Sequence, residues 1–162
     1  MSKKAKKYQC FIKLERELLN SVSWRKMSIS CKRLIDFLCE EHLSTGGKEN
    51  GNLKAPYDQL VAVGISRRLI SRTILEADWL GLIRIERGEL RGAVNDVSRY
   101  TLTFVSFFKE GRWKNPLGDW KTVNEEEIIR FQRSHKIKSG LRRSTATVPQ
   151  HDNFQCHTKQ AN

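Results

Sequence analysis

Three arginines and two serines fall within seven consecutive residues of this 162-residue chain. A guanidinium is a fork of N–H donors that can bond both acceptors on the major-groove edge of guanine, or two oxygens of a phosphate. A hydroxyl can donate to a phosphate or accept a free amide at the start of a helix. The cluster therefore predicts contact with a nucleic acid, with a solvated basic helix face as the alternative. Its members are Ser66, Arg67, Arg68, Ser71 and Arg72.

The surrounding segment, residues 57–83, predicts two short helices joined by a tight turn. Gly64 follows an apolar-periodic run and ends the first helix, because glycine adopts the left-handed backbone that side chains resist. Ser66 is the expected N-cap of the second helix. That helix has one apolar face, with the arginines on the opposite face, and this arrangement is typical of a helix-turn-helix. The apolar face consists of Ile70, Ile74, Ala77 and Leu80, with Leu69 and Thr73 beside them.

Two alternating stretches follow the second helix. Ile83 and Ile85 alternate with polar residues, and residues 98–104 alternate in the same way with Tyr100, Leu102 and Phe104 on one face. Such stretches around a glycine-containing loop predict a β-hairpin, and Arg91 lies in its loop. Helix, turn, helix and hairpin in this order predict a winged helix. The expected fold class is thus α+β, mainly α, with a three-helix core, a β-hairpin wing and a C-terminal helix.

Other elements complete the expected core. Ser28 or Ser30 is expected to cap a first core helix. An extended entry and a short helix should precede it, packed through Phe11, Leu14, Leu18, Leu19 and Val22, and Leu53–Ala55 is a candidate short third strand. The stripe of the core helix is Cys31, Leu34, Ile35, Leu38 and His42.

Four aromatics follow the hairpin: Phe107, Phe108, Trp113 and Trp120. The favoured interpretation is that they cover the open side of a small core. The alternative is an exposed docking surface or a platform on which bases stack. Asn124 or Thr122 is then expected to cap a helix that begins with three glutamates, which suit the positive end of the helix dipole.

The net charge of +12 is concentrated at the ends, since residues 28–104 carry 11 basic and 10 acidic side chains. Basic ends favour a polyanion partner through counterion release, with simple solubility as the alternative. The expected organisation is a disordered basic arm at 1–7, a winged-helix domain at 8–104, an aromatic extension and C-terminal helix at 105–137, and a disordered polar and basic tail at 138–162.

The order N-G-N-L (50–53), Y-D-Q-L, G-I-S-R, G-L-I and R-Y-T-L-T (99–103) resembles short winged-helix proteins of bacterial prophages and plasmids. It is similar to the DNA-binding domain of phage replication proteins and, more distantly, to repressors of the multiple-antibiotic-resistance type. The resemblance covers roughly residues 11–104. It implies that the second helix enters the major groove, with Ser66, Arg67, Arg68 and Arg72 at bases and phosphates and Arg91 on the wing. One departure is Leu60, where many members keep a small residue.

The sequence therefore favours a duplex DNA-binding protein of phage- or plasmid-type replication initiation. The alternatives are a winged-helix transcriptional regulator and a protein-interaction module. Expected partners are double-stranded DNA and either replication proteins or a second copy of the chain, with no membrane.

We expect no catalytic role, because the histidines stand near no nucleophile and Glu125–Glu127 fan around a helix. No cofactor or metal is expected, since Cys10, Cys31, Cys39 and Cys156 form no C-x-x-C pair. Absence of an apolar leader predicts a cytoplasmic, nucleoid-associated location.

Overall fold

The chain is α+β in the computed structural model, which describes residues 11–88, 90–91, 94–95 and 98–141. The expected basic arm at 1–7 and the tail beyond 141 lie outside these residues. One compact unit ends at Ile128, and a second begins at Ile129. In the described ranges the α-helices are α1 (Arg16–Asn20), α2 (Val22–Lys26), α3 (Ile29–Ser44), α4 (Tyr57–Ala62), α5 (Ile70–Trp79) and α6 (Glu125–Leu141), and 3₁₀ turns span Arg67–Leu69 and Asp119–Lys121.

Helix α3 begins where a serine can cap it. The Ser28 hydroxyl accepts the Cys31 amide at 3.1 Å, which makes Ser28 and not Ser30 the cap. The buried carboxylate of Glu76 in α5 accepts both the Ser28 amide (2.7 Å) and its hydroxyl (2.8 Å). The first turn of α3 is therefore bonded to the inner face of α5.

The strands form two antiparallel hairpins. In the longer hairpin β1 (Ile83–Glu86) pairs with β4 (Arg99–Leu102), placing Ile83 opposite Leu102 and Ile85 opposite Tyr100, as the alternation predicts. Its outer part contains β2 (Leu90–Arg91) paired with β3 (Val94–Asn95), so part of the predicted loop is extended. The shorter hairpin pairs β5 (Phe107–Lys109) with β6 (Arg112–Lys114).

A buried asparagine fixes the loop before α4 to the longer hairpin. The Asn50 side-chain amide donates to the carbonyls of Leu102 and Val105, both at 3.0 Å, and its oxygen accepts the Leu102 amide at 2.7 Å. Leu53 and Tyr100 exchange backbone hydrogen bonds as one isolated bridge. The predicted third strand is thus reduced to a single residue pair.

The N-terminal segment packs less than its composition predicts. Two short helices replace the single helix that the sequence predicts, because Ser21 between them has an extended backbone. The Ser21 hydroxyl caps α2 by accepting the Trp24 amide. Leu18 is buried, but Phe11 (82% exposed), Leu14 and Leu19 face outward, so the expected packing of those three is wrong. Five-residue helices are too short to bury a continuous apolar stripe.

The four aromatics after the long hairpin divide into two groups. Trp120 is buried in the main core together with Ile128, whereas Phe108 and Trp113 are exposed and Phe107 is half-buried. The favoured interpretation is therefore right for Trp120 and wrong for Phe108 and Trp113, because the β5–β6 hairpin leaves that aromatic pair outside the core.

Close backbone packing explains the position of Trp120. A Cβ on Gly81 would lie 2.8 Å from the backbone of Asp119 and Trp120, so only glycine fits there. The Asp119 carboxylate also accepts two hydrogen bonds from the Arg84 guanidinium. The 3₁₀ turn Asp119–Lys121 is thereby fixed to the end of α5 and to β1.

Helix α6 begins as predicted and continues farther. The Asn124 side-chain oxygen accepts the Glu126 amide at 3.1 Å, and the three glutamates occupy the first turn. The helix reaches Leu141, past the expected boundary between residues 137 and 138.

His42 is buried at the end of the α3 stripe and lines a cavity of about 500 Å³. Its Nδ1 has no hydrogen-bond partner in the described chain. Burial lowers the pKa of this imidazole below its ordinary value of 6.5, because the cation would lose hydration. The unfolded state therefore takes up this proton first as pH falls.

Stability should accordingly decrease as pH drops below about 6.5, and His42→Leu should remove part of that decrease. Leucine fills a similar volume and does not titrate. The measurement is urea unfolding, followed by circular dichroism, of both proteins above and below this pH. Equal pH dependence in the two proteins would contradict the assignment.

Candidate nucleic-acid interface

The turn between α4 and α5 is closed by backbone hydrogen bonds around Gly64. The Ile65 amide donates to the Leu60 carbonyl at 3.0 Å, and the Gly64 amide donates to the Val61 carbonyl at 2.9 Å. This pair of bonds is the Schellman arrangement, which needs a left-handed residue, and Gly64 has a φ of +87°. The prediction of a glycine turn is confirmed, and Leu60 is fully buried.

A residue from outside the two helices also holds the turn. Arg33 of α3 donates through Nη1 to the Gly64 carbonyl. A Cβ on Gly64 would lie 2.9 Å from that nitrogen. The turn is thus attached to α3 on one side and continues into the arginine cluster on the other.

The prediction that the Ser66 hydroxyl caps the second helix is wrong. Ser66 precedes the helical region, but its hydroxyl accepts no capping hydrogen bond. The chain enters α5 through the 3₁₀ turn Arg67–Leu69, in which the Ser66 carbonyl accepts the Leu69 amide at 2.7 Å. Arg67 and Arg68 therefore lie on this tighter turn and not on the first turn of an α-helix.

Helix α5 has a buried face and an exposed face. Ile70, Ile74 and Ala77 are buried, as is Leu80 just after the helix, and this confirms the predicted stripe. The predicted site residues Ser66, Arg67, Arg68 and Ser71 are exposed. Arg72 is half-buried and not fully on the opposite face, because it lies between exposed Ser71 and buried Thr73 at the flank of the helix.

The three arginines differ in their partners. Arg67 forms an ion pair with Asp58 of α4, with 2.9 Å between Nη1 and Oδ1, and both side chains are largely exposed. An exposed pair of this kind contributes little and exchanges readily with another anion. Arg68 and Arg72 have no hydrogen-bond or ion-pair partner among the described residues. Two guanidinium groups at the start of α5 are therefore available to a ligand.

A groove of about 330 Å³ lies between α5 and the long hairpin. Ser71 and Leu75 line it from the helix, and Arg87 and Tyr100 line it from the hairpin. The Tyr57 hydroxyl lies 3.1 Å from the Ser71 hydroxyl, so Ser71 is held by α4. Arg87, which directly follows β1, adds an exposed cation to the groove.

Arg91 lies on β2 with its backbone paired to Val94. Its side chain falls outside the described part of the chain. The proposed contact of Arg91 with DNA remains a prediction.

Sequence reasoning missed Arg33, Asp58, Tyr57 and Arg87. Arg33 and Asp58 act across helix–helix contacts, and no local pattern marks which cation will meet which acceptor at a given crossing angle. Tyr57 is the first residue of α4, and no sequence pattern predicts its hydrogen bond to Ser71. Arg87 had a usable signal, since it directly follows the alternating strand that the sequence predicts.

The described residues form neither a metal-binding cluster nor a membrane-crossing helix. They contain no group of three His, Cys, Asp or Glu side chains able to hold a metal ion. None of their helices is both long enough and apolar enough to cross a membrane. Burial raises the pKa of the Cys31 and Cys39 thiols above their ordinary value, which keeps them protonated and poorly reactive.

Comparisons of the chain with family models, with curated proteins and with solved structures gave no match.

Replacing Gly64 should test how far the arginine turn depends on its backbone. Gly64→Ala should lower the free energy of unfolding by about 1–2 kcal/mol, because alanine resists a positive φ. Gly46→Ala is the matched control, since Gly46 has a φ of +76° and a Cβ there would meet nothing within 4 Å. The extra loss of stability at Gly64 over Gly46, measured by urea unfolding, reports the displacement of Arg33. A loss no larger than that at Gly46 would contradict the role of Arg33.

Proposed function

We propose that this chain is a duplex DNA-binding protein that reads the major groove through the α4–turn–α5 unit, with the long hairpin as a wing. The observation that carries the proposal is the two-sided construction of α5. One face is buried and hydrogen-bonded to α3, and the other begins with Arg67, Arg68 and Ser71 in solvent. A helix can enter the major groove only if its reading face is free and its other face is anchored.

Charge placement supports the proposal over a protein-interaction module. The residues from 28 to 104 are close to neutral as a set, with 11 basic and 10 acidic side chains. Asp58 is already paired with Arg67, and Glu76, on the buried face of α5, is already bonded to Ser28. Arg68 and Arg72 have no partner among the described residues, whereas Arg87 interacts electrostatically with the carboxylate of Asp78. Two unpaired guanidinium groups suit phosphates better than an apolar protein partner.

The cellular process is a further step in the same proposal. We propose replication initiation of the phage or plasmid type, on the resemblance of the N-G-N-L, G-I-S-R and R-Y-T-L-T segments to that family. Asn50 of the first segment has a folding role in its three hydrogen bonds to the chain around β4. Footprinting on genomic DNA tests the process: clustered repeats favour initiation, whereas a single operator beside a promoter favours the regulator.

Replacing Arg67, Arg68 and Arg72 together by alanine should weaken binding to the preferred duplex by about 1–3 kcal/mol for each arginine that touches a base. Fluorescence anisotropy on preferred and scrambled duplexes is the measurement, and circular dichroism should be unchanged, because none of the three arginines is on the buried stripe. Arg68→Lys should keep affinity for scrambled DNA but relax base preference, because lysine lacks the fork.

A matched control separates placement from net charge. Arg25, Lys48 and Lys54 are exposed in the same unit, and replacing them by alanine removes the same charge. The proposal requires that this control lose much less affinity for the preferred duplex than the α5 variant. Equal losses, or none in either protein, would end the helix-turn-helix interpretation as a function.

The wing gives a separate prediction. Arg91→Ala should weaken duplex binding by about 1 kcal/mol without changing the preferred bases, because phosphate contacts position a protein and do not specify sequence. Selection from a random duplex pool before and after the change measures this. An altered consensus would mean that Arg91 reads bases.

A further inference from the structure

The β5–β6 hairpin presents an aromatic pair outside the core. Phe108 and Trp113 are opposite each other in the register, with ring centroids 5.5 Å apart and planes inclined at 67°. The tip, Glu110 and Gly111, has positive φ at both residues, which is the geometry of a tight two-residue hairpin turn. The two rings are therefore held in a fixed edge-to-face arrangement.

Folding does not account for this exposure. Phe108 is 42% exposed and Trp113 is 57% exposed, whereas Trp120 a few residues later is buried in the core. Rings that complete no core leave apolar area in water, and paired exposed aromatics are typical of binding surfaces.

The charges around the two rings are mainly positive. The only acid of the hairpin, Glu110, is paired with Lys114 at 3.1 Å, and this hydrogen bond holds the pKa of Glu110 below its ordinary value. Lys109 and Arg112 face each other across the hairpin and have no ion-pair partner in the described chain. These two free cations follow the aromatic pair along the strands and belong to the opposite face of the hairpin, and Lys109 also borders the same groove as Phe108.

A groove of about 380 Å³ opens beside Phe108 and Lys109. Its other side is β1–β4 and the preceding loop, where Asn52 and Thr101 supply polar side chains. Arg84, already bonded to Asp119, and the exposed acid Glu86 also line it. The groove is large enough for a base and offers both an aromatic wall and hydrogen-bonding groups.

We propose that the β5–β6 hairpin is a second DNA site that binds single-stranded DNA, with bases stacked on Phe108 and Trp113 and phosphates at Lys109 and Arg112. Aromatic faces interleaved with cations are the combination by which proteins hold unpaired strands without sequence preference. An apolar protein ligand would leave these two cations unpaired. The stacking site is independent of the proposed duplex site, and only the choice of DNA over RNA rests on the proposed function.

The test uses the full-length protein and a labelled oligothymidylate of about 12 nucleotides, followed by anisotropy and by quenching of tryptophan fluorescence. Phe108→Ala and Trp113→Ala should each weaken binding about tenfold, because one stacking face is removed. Lys109→Glu with Arg112→Glu should weaken it and reduce its salt dependence. Lys109 and Arg112 are exposed, so this double variant tests the site even if an aromatic variant folds poorly.

Trp79→Ala is the matched control, because Trp79 is an exposed tryptophan at the end of α5. It should leave oligothymidylate binding unchanged. The variant with Arg67, Arg68 and Arg72 replaced by alanine should also keep oligothymidylate binding. The variants of the β5–β6 hairpin should keep duplex binding. If the wild type binds oligothymidylate through Trp113 but no duplex, this site stands and the proposed duplex function falls.

Three results would overturn the proposal: no binding of oligothymidylate by the wild type at low salt, equal loss of binding in Trp79→Ala and Trp113→Ala, or tighter binding of oligouridylate than of oligothymidylate.

Discussion

The orientation of α5 depends on one buried carboxylate. Glu76 lies on the inner face of the helix and accepts the amide and the hydroxyl of Ser28 at the start of α3. A buried charge is tolerated only if it is hydrogen-bonded, and the positive end of α3 favours an anion there. A rotation of α5 about its axis would break both bonds and bury an unpaired charge. This constraint keeps Arg67, Arg68 and Ser71 in solvent, so the composition of the inner face determines what the outer face can contact.

Asn50 has the corresponding role for the long hairpin. Its three hydrogen bonds satisfy one amide and two carbonyls around the end of β4, which would otherwise be buried without partners. The other polar links between that loop and β4 in the described residues are the two backbone bonds of the Leu53–Tyr100 bridge and the bond from Arg99 to the Asn52 side chain. The loop before α4 and the end of β4 are consequently fixed to each other, and the groove between α5 and the hairpin keeps its width.

Local signals predicted much of this fold, and long-range contacts account for what they missed. The stripe through Ile70, Ile74 and Ala77 and the alternation through Ile83 and Ile85 each report one buried face, and both are correct. The 3₁₀ entry to α5, the Arg67–Asp58 pair and the Arg33 contact depend on how helices cross, which periodicity does not encode. Trp113 and Trp120 were indistinguishable by composition. Hairpin pairing exposes the first, and close packing against Gly81 buries the second.

Ion pairs determine which cations of the described residues remain free to bind a polyanion. Arg84 is bonded to Asp119, Arg67 to Asp58 and Lys114 to Glu110, so these cations are at least partly neutralised in the free protein. Arg68 and Arg72 at the start of α5, and Lys109 and Arg112 on the short hairpin, keep their full charge. Each phosphate that a cation neutralises releases counterions, which favours binding. Cations without a partner in the free protein therefore contribute most to affinity for a polyanion. The two groups differ in their neighbours: the exposed face of a helix in one, and two exposed aromatic rings in the other. Under the two proposals, one unit of the chain presents the first group to duplex DNA and the second to single-stranded DNA.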